Sequence, residues 1–408
     1  MKLSTIPLRY VSELNPPVRF DEFEEESELT FLPMDRVKNG YFIPNADKFS
    51  KCAASYTAFA DGDIIMAKVT PCFENGNIAV AENLVGGKGF GSSELFVIRA
   101  QTILPRFLFY YLQSSHFKQE GMASMTGAGG LKRVAPEVLR THHIPVFAPE
   151  TQRRIAAYLD AETAQMDALV AEKEQMLKLL EEKRAAQISH AVTRGLNPRA
   201  PLKPSALPWL GDIPKHWDLQ RSKWLLKERD ERSETGEEEM LTVSHLTGVT
   251  PRSEKDVNMF EAETNEGYKL VSPDQLVINT LWAWMGAMGV AQHEGIVSPA
   301  YHVYRIMPEL LPEYVDYLVR TEAFKAEVIR FSKGVWSSRL RLYPEGLHEV
   351  WLPVPPLEEQ RAIVAHLSAE RERTAGLEAA LRDSIQLLQE RRRALITAAV
   401  TGQLTDML

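Results

Sequence analysis

The sequence predicts an α+β chain: two similar mixed α/β domains separated by two long helices that pair as an antiparallel coiled coil, all built as a pseudo-twofold internal repeat. Three observations carry this. A stretch of about fifty residues occurs twice without a gap, from Ile144 to Leu196 and from Leu352 to Leu404, at a shift of 208 positions. Each copy holds a proline-free run dominated by Ala, Leu, Glu, Lys, Gln and Arg. The segments ahead of the two copies match more weakly, at shifts of 206 and 207.

The repeated stretch reads as one long helix. Pro145, Gln152, Arg153, Ile155 and Leu159 fall on Pro353, Gln360, Arg361, Ile363 and Leu367, and Leu196 falls on Leu404. Any insertion would rotate or translate everything beyond it, so a gapless repeat says that length itself is constrained, as in a ruler. Glu150 and Glu358 stand at the positive end of the helix dipole. One heptad register places Leu169, Met176 and Leu180, with Lys173 and Lys183, on one seam of the first helix. It places Leu377, Leu381, Leu388 and Leu395, with Ser384 and Arg391, on the equivalent seam of the second. The Lys, Ser and Arg interruptions leave each seam too weak to stand alone, which makes the other copy the natural partner. Roughly forty residues at about 1.5 Å each give a rod of about 60 Å. These spacer helices span 142–197 and 349–408.

In chain order, residues 1–141 form the first domain. Apolar or alternating runs at Leu29 to Val37, Asp63 to Val69, Asn77 to Ala81 and Glu94 to Arg99, set between Gly, Asp, Asn and Pro, predict strands. Phe107, Leu108, Tyr111 and Leu112 predict a helix over Pro105 to Gln119. Residues 198–348 form the second domain. A proline-rich lead-in is followed by strands at Met240 to Leu246, Gln275 to Thr280 and Tyr301 to Ile306, then by a helix over Pro312 to Phe331. Pro105, Tyr110 and Phe117 match Pro312, Tyr317 and Phe324, while Ser92, Val97 and Arg99 match Ser298, Val303 and Arg305.

Composition bounds the rest. The chain has 408 residues, 44% apolar and 25% charged, which suits two globular domains plus helices. Its two cysteines, Cys52 and Cys72, predict reduced core residues, and its ten histidines fall in no metal-binding spacing. Met1 to Val11 lacks an apolar signal core, and no run approaches the roughly eighteen apolar residues of a membrane span, so a cytoplasmic protein with no membrane partner is expected. A net charge of −8 argues against non-specific nucleic-acid binding. If DNA is a partner, the positive charge must be local or come from another subunit.

Two segments of the second half carry a family resemblance. Gln275-Leu-Val-Ile-Asn-Thr-Leu-Trp-Ala-Trp-Met-Gly-Ala-Met-Gly-Val290, followed by Gly295-Ile-Val-Ser-Pro-Ala-Tyr301, resembles the second target-recognition domain of type I restriction-modification specificity subunits. Leu207-Pro-Trp-Leu-Gly-Asp-Ile-Pro-Lys-His-Trp217 and Leu352-Pro-Val-Pro-Pro-Leu-Glu-Glu-Gln-Arg361 resemble the same family, as does the domain order along the whole chain. The first domain has no counterpart of the Leu207 to Trp217 segment. The resemblance implies a non-catalytic subunit in which each target-recognition domain reads one half of a bipartite, asymmetric DNA site and the helices set the gap. It also implies docking to two modification subunits that use S-adenosylmethionine to methylate adenine at N6, and assembly with restriction subunits that use ATP and Mg. No cofactor or metal is implied for this chain. Two unlike heads on a pseudo-symmetric rod suit an asymmetric site, whereas a true homodimer reads a palindrome.

Competing chemistries are weaker. Asn15-Pro16-Pro17-Val18 lacks the aromatic of an adenine-methylase motif and reads as a turn. Gly86-Gly-Lys-Gly-Phe-Gly91 lacks the spacing of a phosphate loop and reads as a mobile hairpin loop with Lys88 at its tip. Asp61, Asp63 and Lys68 read as a turn and a buried strand rather than a nuclease cluster. Base reading needs Arg, Lys, Asn or Gln on exposed loops. The candidates are Lys68, Lys88, Lys132 and Arg133 in the first domain, and Lys269, Lys333, Arg339 and Arg341 in the second. Lys132 with Arg133, and Arg339 with Arg341, precede Pro136 and Pro344 at equivalent places. Trp282, Trp284 and Trp336 read as core. The alternative to DNA recognition is a scaffold holding two protein-binding modules.

Overall fold

The computed structural model describes residues 4–52, 56–128, 130–254, 264–335 and 339–404. Trp336 and the Cys52 side chain lie outside the described residues. The fold is α+β, with two similar mixed α/β portions and two long helices, Pro149–Arg194 and Leu357–Val400. The chain divides into two compact units: Met1–Glu174 with Leu381–Leu408, and Gln175–Ala380.

The first unit holds an antiparallel sheet in the order Ser12–Leu14, Leu95–Ala100, Ile64–Ala67, Ile78–Val80. Its central strands are apolar over Ile64–Ala67 and over residues 95–98 because both faces are covered there. Ile64, Met66, Phe96 and Ile98 face a core shared with the helices, while Ile65, Ala67, Leu95 and Val97 face a second core. A second sheet runs Asn45–Lys48, Glu28–Leu32, Lys88–Gly91, Thr57–Ala60. In it Lys88–Gly91 lies between Glu28–Leu32 and Thr57–Ala60, parallel to the first and antiparallel to the second. The glycine-rich segment is therefore a strand preceded by a tight turn rather than a mobile loop, and Lys88 is no loop tip. A Cβ at Gly89 would sit 2.7 Å from the Thr30 carbonyl oxygen and 2.8 Å from Phe59, which only glycine avoids.

The second unit repeats the first sheet as Leu226–Arg229, His302–Ile306, Gln275–Ile278, Met288–Val290. The registers coincide: Ile64 lies opposite Val80 and Ile98, and Leu276 lies opposite Val290 and Tyr304. In both units the predicted single helix is two. Pro105–Tyr111 and Ser115–Ala123 are separated by a break at Ser114, and Pro312–Val319 and Glu322–Phe331 by a break at Thr321. Those hydroxyls accept from the amides of Phe117 and Phe324, so an N-cap restarts the helix in each case.

Each long helix is anchored at its start by a repeated glutamine. Gln152 accepts from the Leu104 amide at 2.8 Å and donates to the Phe147 carbonyl at 2.9 Å. Gln360 accepts from the Leu311 amide at 2.8 Å and donates to the carbonyls of Glu309 and Pro355, both at 2.8 Å. Within the first unit Ile155 and Leu159 share a core with Ile396, Ala399 and Val400, while Asp167 lies beside Arg392. Contacts that move forward on one helix and backward on the other make the pair antiparallel. In the second unit Ala191 and Val192 share a core with Ile363 and Leu367 in the same sense.

The seam differs from the predicted one at alternate positions. Leu180, Leu381, Leu388 and Leu395 lie on covered faces, but Leu169, Met176 and Leu377 are 45%, 42% and 45% exposed. The covered faces pass instead through Met166, Val170 and Leu177, and through Glu378, Ile385 and Arg392. A heptad stripe allows either neighbour of a fixed position to complete it, and counting leucines selected the wrong one.

Candidate nucleic-acid interface

In the first unit the segment after Ser115–Ala123 closes on itself: Thr126 and Arg133 form an antiparallel bridge, with backbone bonds of 3.0 and 2.8 Å. In the second unit Lys333 and Arg341 do the same at 2.9 Å in both directions. Each bridge is followed by a glycine that lets the strands approach. A Cβ on Gly127 would lie 2.2 Å from the Leu131 carbonyl oxygen, and one on Gly334 would lie 2.5 Å from that of Arg339. The result is a pair of pinned, exposed loops at equivalent places, with Leu131 56% and Val335 91% exposed.

Three of the four first-unit candidates meet at this loop. Thr70 donates its amide to the Lys132 carbonyl, and Val69 bridges Arg133. The Arg133 guanidinium forks onto Glu94 at 2.8 and 2.7 Å, while the Lys68 ammonium donates to the Ser93 carbonyl at 2.6 Å. The hydrogen bond from Arg133, reinforced by the charges of Arg133 and Lys68, lowers the Glu94 pKa against the opposing effect of burial. That same bond raises the pKa of Arg133. Lys132 is exposed. Lys88 lies apart, in its strand, paired with Glu22 beside the Phe23 ring.

Of the second-unit candidates, Lys333, Arg339 and Arg341 share one loop and are exposed. Among the described residues none of the three has an acidic partner. Lys269 is different: it is 4% exposed and lies 3.3 Å from Asp230, so the surface reading of this lysine is corrected. It sits in Lys269–Val271, paired with Gly295–Val297, where its neighbours alternate inward.

The other motifs are structural. Asp63 is 1% exposed and held by Arg99 through two 2.7 Å bonds, and Asp61 accepts from the Leu84 amide at 3.1 Å. Asn15 bonds the Val97 amide and carbonyl at a strand end. Among the described residues no group of three His, Cys, Asp or Glu could hold a metal, and no helix is long and apolar enough to cross a membrane. Cys72 is a free thiol, partly buried against the core between the sheets of the first unit. Trp282, read as core, is 51% exposed, and Trp224, which the sequence reading passed over, is 68% exposed beside Lys223. Trp282 caps the short helical turn Ala283–Met285 just beyond the strand Gln275–Ile278, which turns its ring outward.

No protein-family model matches the chain. It is 33% identical over 153 residues to the EcoEI specificity subunit and 35% identical over 153 residues to the EcoAI specificity subunit, type I restriction enzyme components of Escherichia coli. Each match covers 36% of this chain, and the chain spans only 25% and 26% of those relatives. Against the type I MjaVIII specificity subunit of Methanocaldococcus jannaschii it is 22% identical over 382 residues, covering 89% of this chain and 83% of the relative. A solved chain from work on the complex assembly and conformational transition of the type I R-M system superposes with a TM-score of 0.71 at 19% identity, over 98% of this chain and 97% of that one. In sequence, then, the curated relatives of this chain are specificity subunits of type I restriction enzymes, and its fold is that of a chain solved in work on a type I R-M system.

Proposed function

We propose that the chain is the DNA sequence-specificity subunit of a type I restriction-modification assembly. It divides as the sequence indicates, into target-recognition domains over 1–141 and 198–348 and spacer helices over 142–197 and 349–408. The observation that carries the reading is the pair of pinned basic loops at equivalent places, Gly127 to Arg133 and Gly334 to Arg341, on a duplicated scaffold whose helices repeat without a gap. Each loop offers Arg and Lys side chains to one half of a bipartite site, for phosphate and base contacts alike. Lys68, Lys132, Arg133, Lys333, Arg339 and Arg341 are the residues assigned to this role. The acidic balance of the chain leaves much of the phosphate neutralisation to its partners, so the isolated chain binds duplex DNA weakly.

Those partners are two modification subunits, which carry S-adenosylmethionine, and restriction subunits, which carry ATP and Mg. This chain itself is non-catalytic and works in the cytoplasm. Leu169 and Leu179 on the first helix and their counterparts Leu377 and Leu387 on the second are 45%, 51%, 45% and 63% exposed. This twice-repeated apolar surface is assigned to subunit docking.

Adenine-methylation mapping by long-read sequencing tests the reading, using cells that express the chain with its modification subunit. Methylation at a single bipartite asymmetric motif, lost when the chain is omitted, is expected. Inserting four residues at equivalent points of both helices lengthens each by roughly 6 Å, between one and two base-pair rises of about 3.4 Å. The half-sequences then stay and the gap grows; changed half-sequences with an unchanged gap would sink the ruler.

A further inference from the structure

The first unit contains a polar cleft of about 420 Å³ that the DNA reading does not use. Lys118, Arg392 and Arg393 line it together with Gln113, Asp167 and Glu74. Arg392 is 8% exposed, a rare degree of burial for a guanidinium. Its Nη1 reaches Gln113 Oε1 at a long 3.4 Å. Its Nε lies 3.0 Å from Asp167 Oδ1 but outside hydrogen-bonding geometry, so that buried N–H has no acceptor despite the close approach. Lys118 Nζ donates to the Glu74 carbonyl at 3.0 Å. Burial lowers the pKa of this ammonium, and the charges of Arg393 and Arg392 lower it further. Three cations thus line one cleft; among the described residues Asp167 is the acid paired with one of them, and its side chain is 55% exposed.

The matching place in the second unit serves as an internal control. There Arg184, Leu180 and Ile188 replace Arg392, Leu388 and Ile396, but Ala185 and Ala375 stand for Arg393 and Asp167, and the cavity is only about 20 Å³. Lys325, counterpart of Lys118, is paired with Glu322. Lys183 and Arg371 also line the second-unit hollow, beside Glu370, so both places carry cations; it is the first unit that sets two adjacent arginines against a hollow of ligand size.

We propose that this cleft is an oxyanion pocket that takes a phosphate group. A guanidinium fork beside an ammonium fits a tetrahedral dianion with several acceptor oxygens, and the volume is that of a small-ligand site. The bound anion accepts from the Nη groups of Arg392 and Arg393 and offsets the repulsion around Lys118. The phosphate can arrive on a small ester or on a nucleic-acid backbone, and the two sources separate experimentally.

The test is calorimetric titration of the full chain with inorganic phosphate and with pyrophosphate, at constant ionic strength with chloride as the balancing anion. One saturable site is expected, weakened about tenfold or more by Arg393→Gln and by Lys118→Gln, which leave the Arg392 and Asp167 side chains in place. Arg393 is exposed, so its replacement leaves folding intact. Arg184→Gln, at the duplicated position, leaves the affinity unchanged. Saturating duplex DNA abolishes phosphate binding if the backbone is the natural occupant and leaves it unaltered if a small ester is. Absence of saturation, or saturation indifferent to both substitutions, overturns the proposal.

Discussion

Asp63 in the first unit meets Arg99 through two 2.7 Å bonds, and Arg133 forks onto Glu94. In the second unit the strand register puts Gln275 opposite Arg305, and Ala300 stands where the repeat would have Glu94. The turn leading into the strand is nevertheless the same. Asp63 accepts from the Ala60 amide at 2.8 Å, and Gln275 accepts from the Ser272 amide at 2.9 Å. Main-chain bonds, sheet register and the glutamine anchors therefore persist where side-chain charge has been redistributed. Backbone geometry accepts many sequences, whereas an ion pair requires both partners, so a duplicated fold diverges first in its charges. That accords with the proposed role, in which two domains on one support read different half-sites.

The largest expected effect probes the shared part. Gln360→Ala leaves the Leu311 amide and the carbonyls of Glu309 and Pro355 without their partner in a site that is 0% exposed. The cost is roughly 3 kcal/mol. Gln152→Ala removes two bonds, at Leu104 and Phe147, and costs roughly 2 kcal/mol. Urea-dependent amide exchange of Leu104 and Leu311 reads both variants in the intact chain. No loss at either would show that these anchors are replaceable by water and that the repeat of this glutamine has another cause.

Next in size is the divergent strand. Asp63→Asn deprives Arg99 of its counter-charge in a partly buried place and destabilises by about 2 kcal/mol. Gln275→Glu places the missing carboxylate opposite an exposed Arg305, where an ion pair is worth less than about 0.5 kcal/mol. Chemical denaturation can follow the second unit alone through tryptophan, since all seven tryptophans lie within Gln175–Ala380. A gain above 1 kcal/mol for Gln275→Glu would refute the view that burial, rather than pairing, sets the difference.

Much of this scaffold was legible in the sequence, because a gapless repeat and period-two apolar strands are backbone signals. The same signals fail where one side chain decides. Ser114 and Thr321 break helices that apolar spacing ran through, and only a search for capping hydroxyls finds them. Residue type alone puts Leu169, Met176 and Leu377 on the seam, although the covered face runs one residue later, through Val170, Leu177 and Glu378. Lys269 and Lys88 were chosen by charge, although each is held by an acid distant in sequence, Asp230 and Glu22. The Arg392 cleft left a trace that went unread: Arg393 against Ala185, and Asp167 against Ala375, are places where the repeat trades a neutral residue for a charge.

The smallest effect bears on how the two loops differ in use. Glu94 holds Arg133 and draws on Lys68, whereas the second loop has no equivalent acid among its described residues. Because the folded-state pKa of Glu94 lies below its ordinary value of 4.5, its stabilising contribution is complete above that value and is lost as pH falls through the lowered one. At neutral pH the clamp is therefore closed, and only mutation opens it. Glu94→Gln frees Arg133 for a phosphate, so DNA binding by the assembled complex strengthens and its log K against log salt slope steepens by about 1. Arg341→Gln, in the loop without a clamp, makes the slope shallower by about 1, while Arg133→Gln in the otherwise unaltered protein changes it less. Filter binding across a salt series measures all three. If Arg133→Gln and Arg341→Gln moved the slope equally, Glu94 would not be restraining the first loop, and the electrostatic contrast between the two heads would have to lie elsewhere.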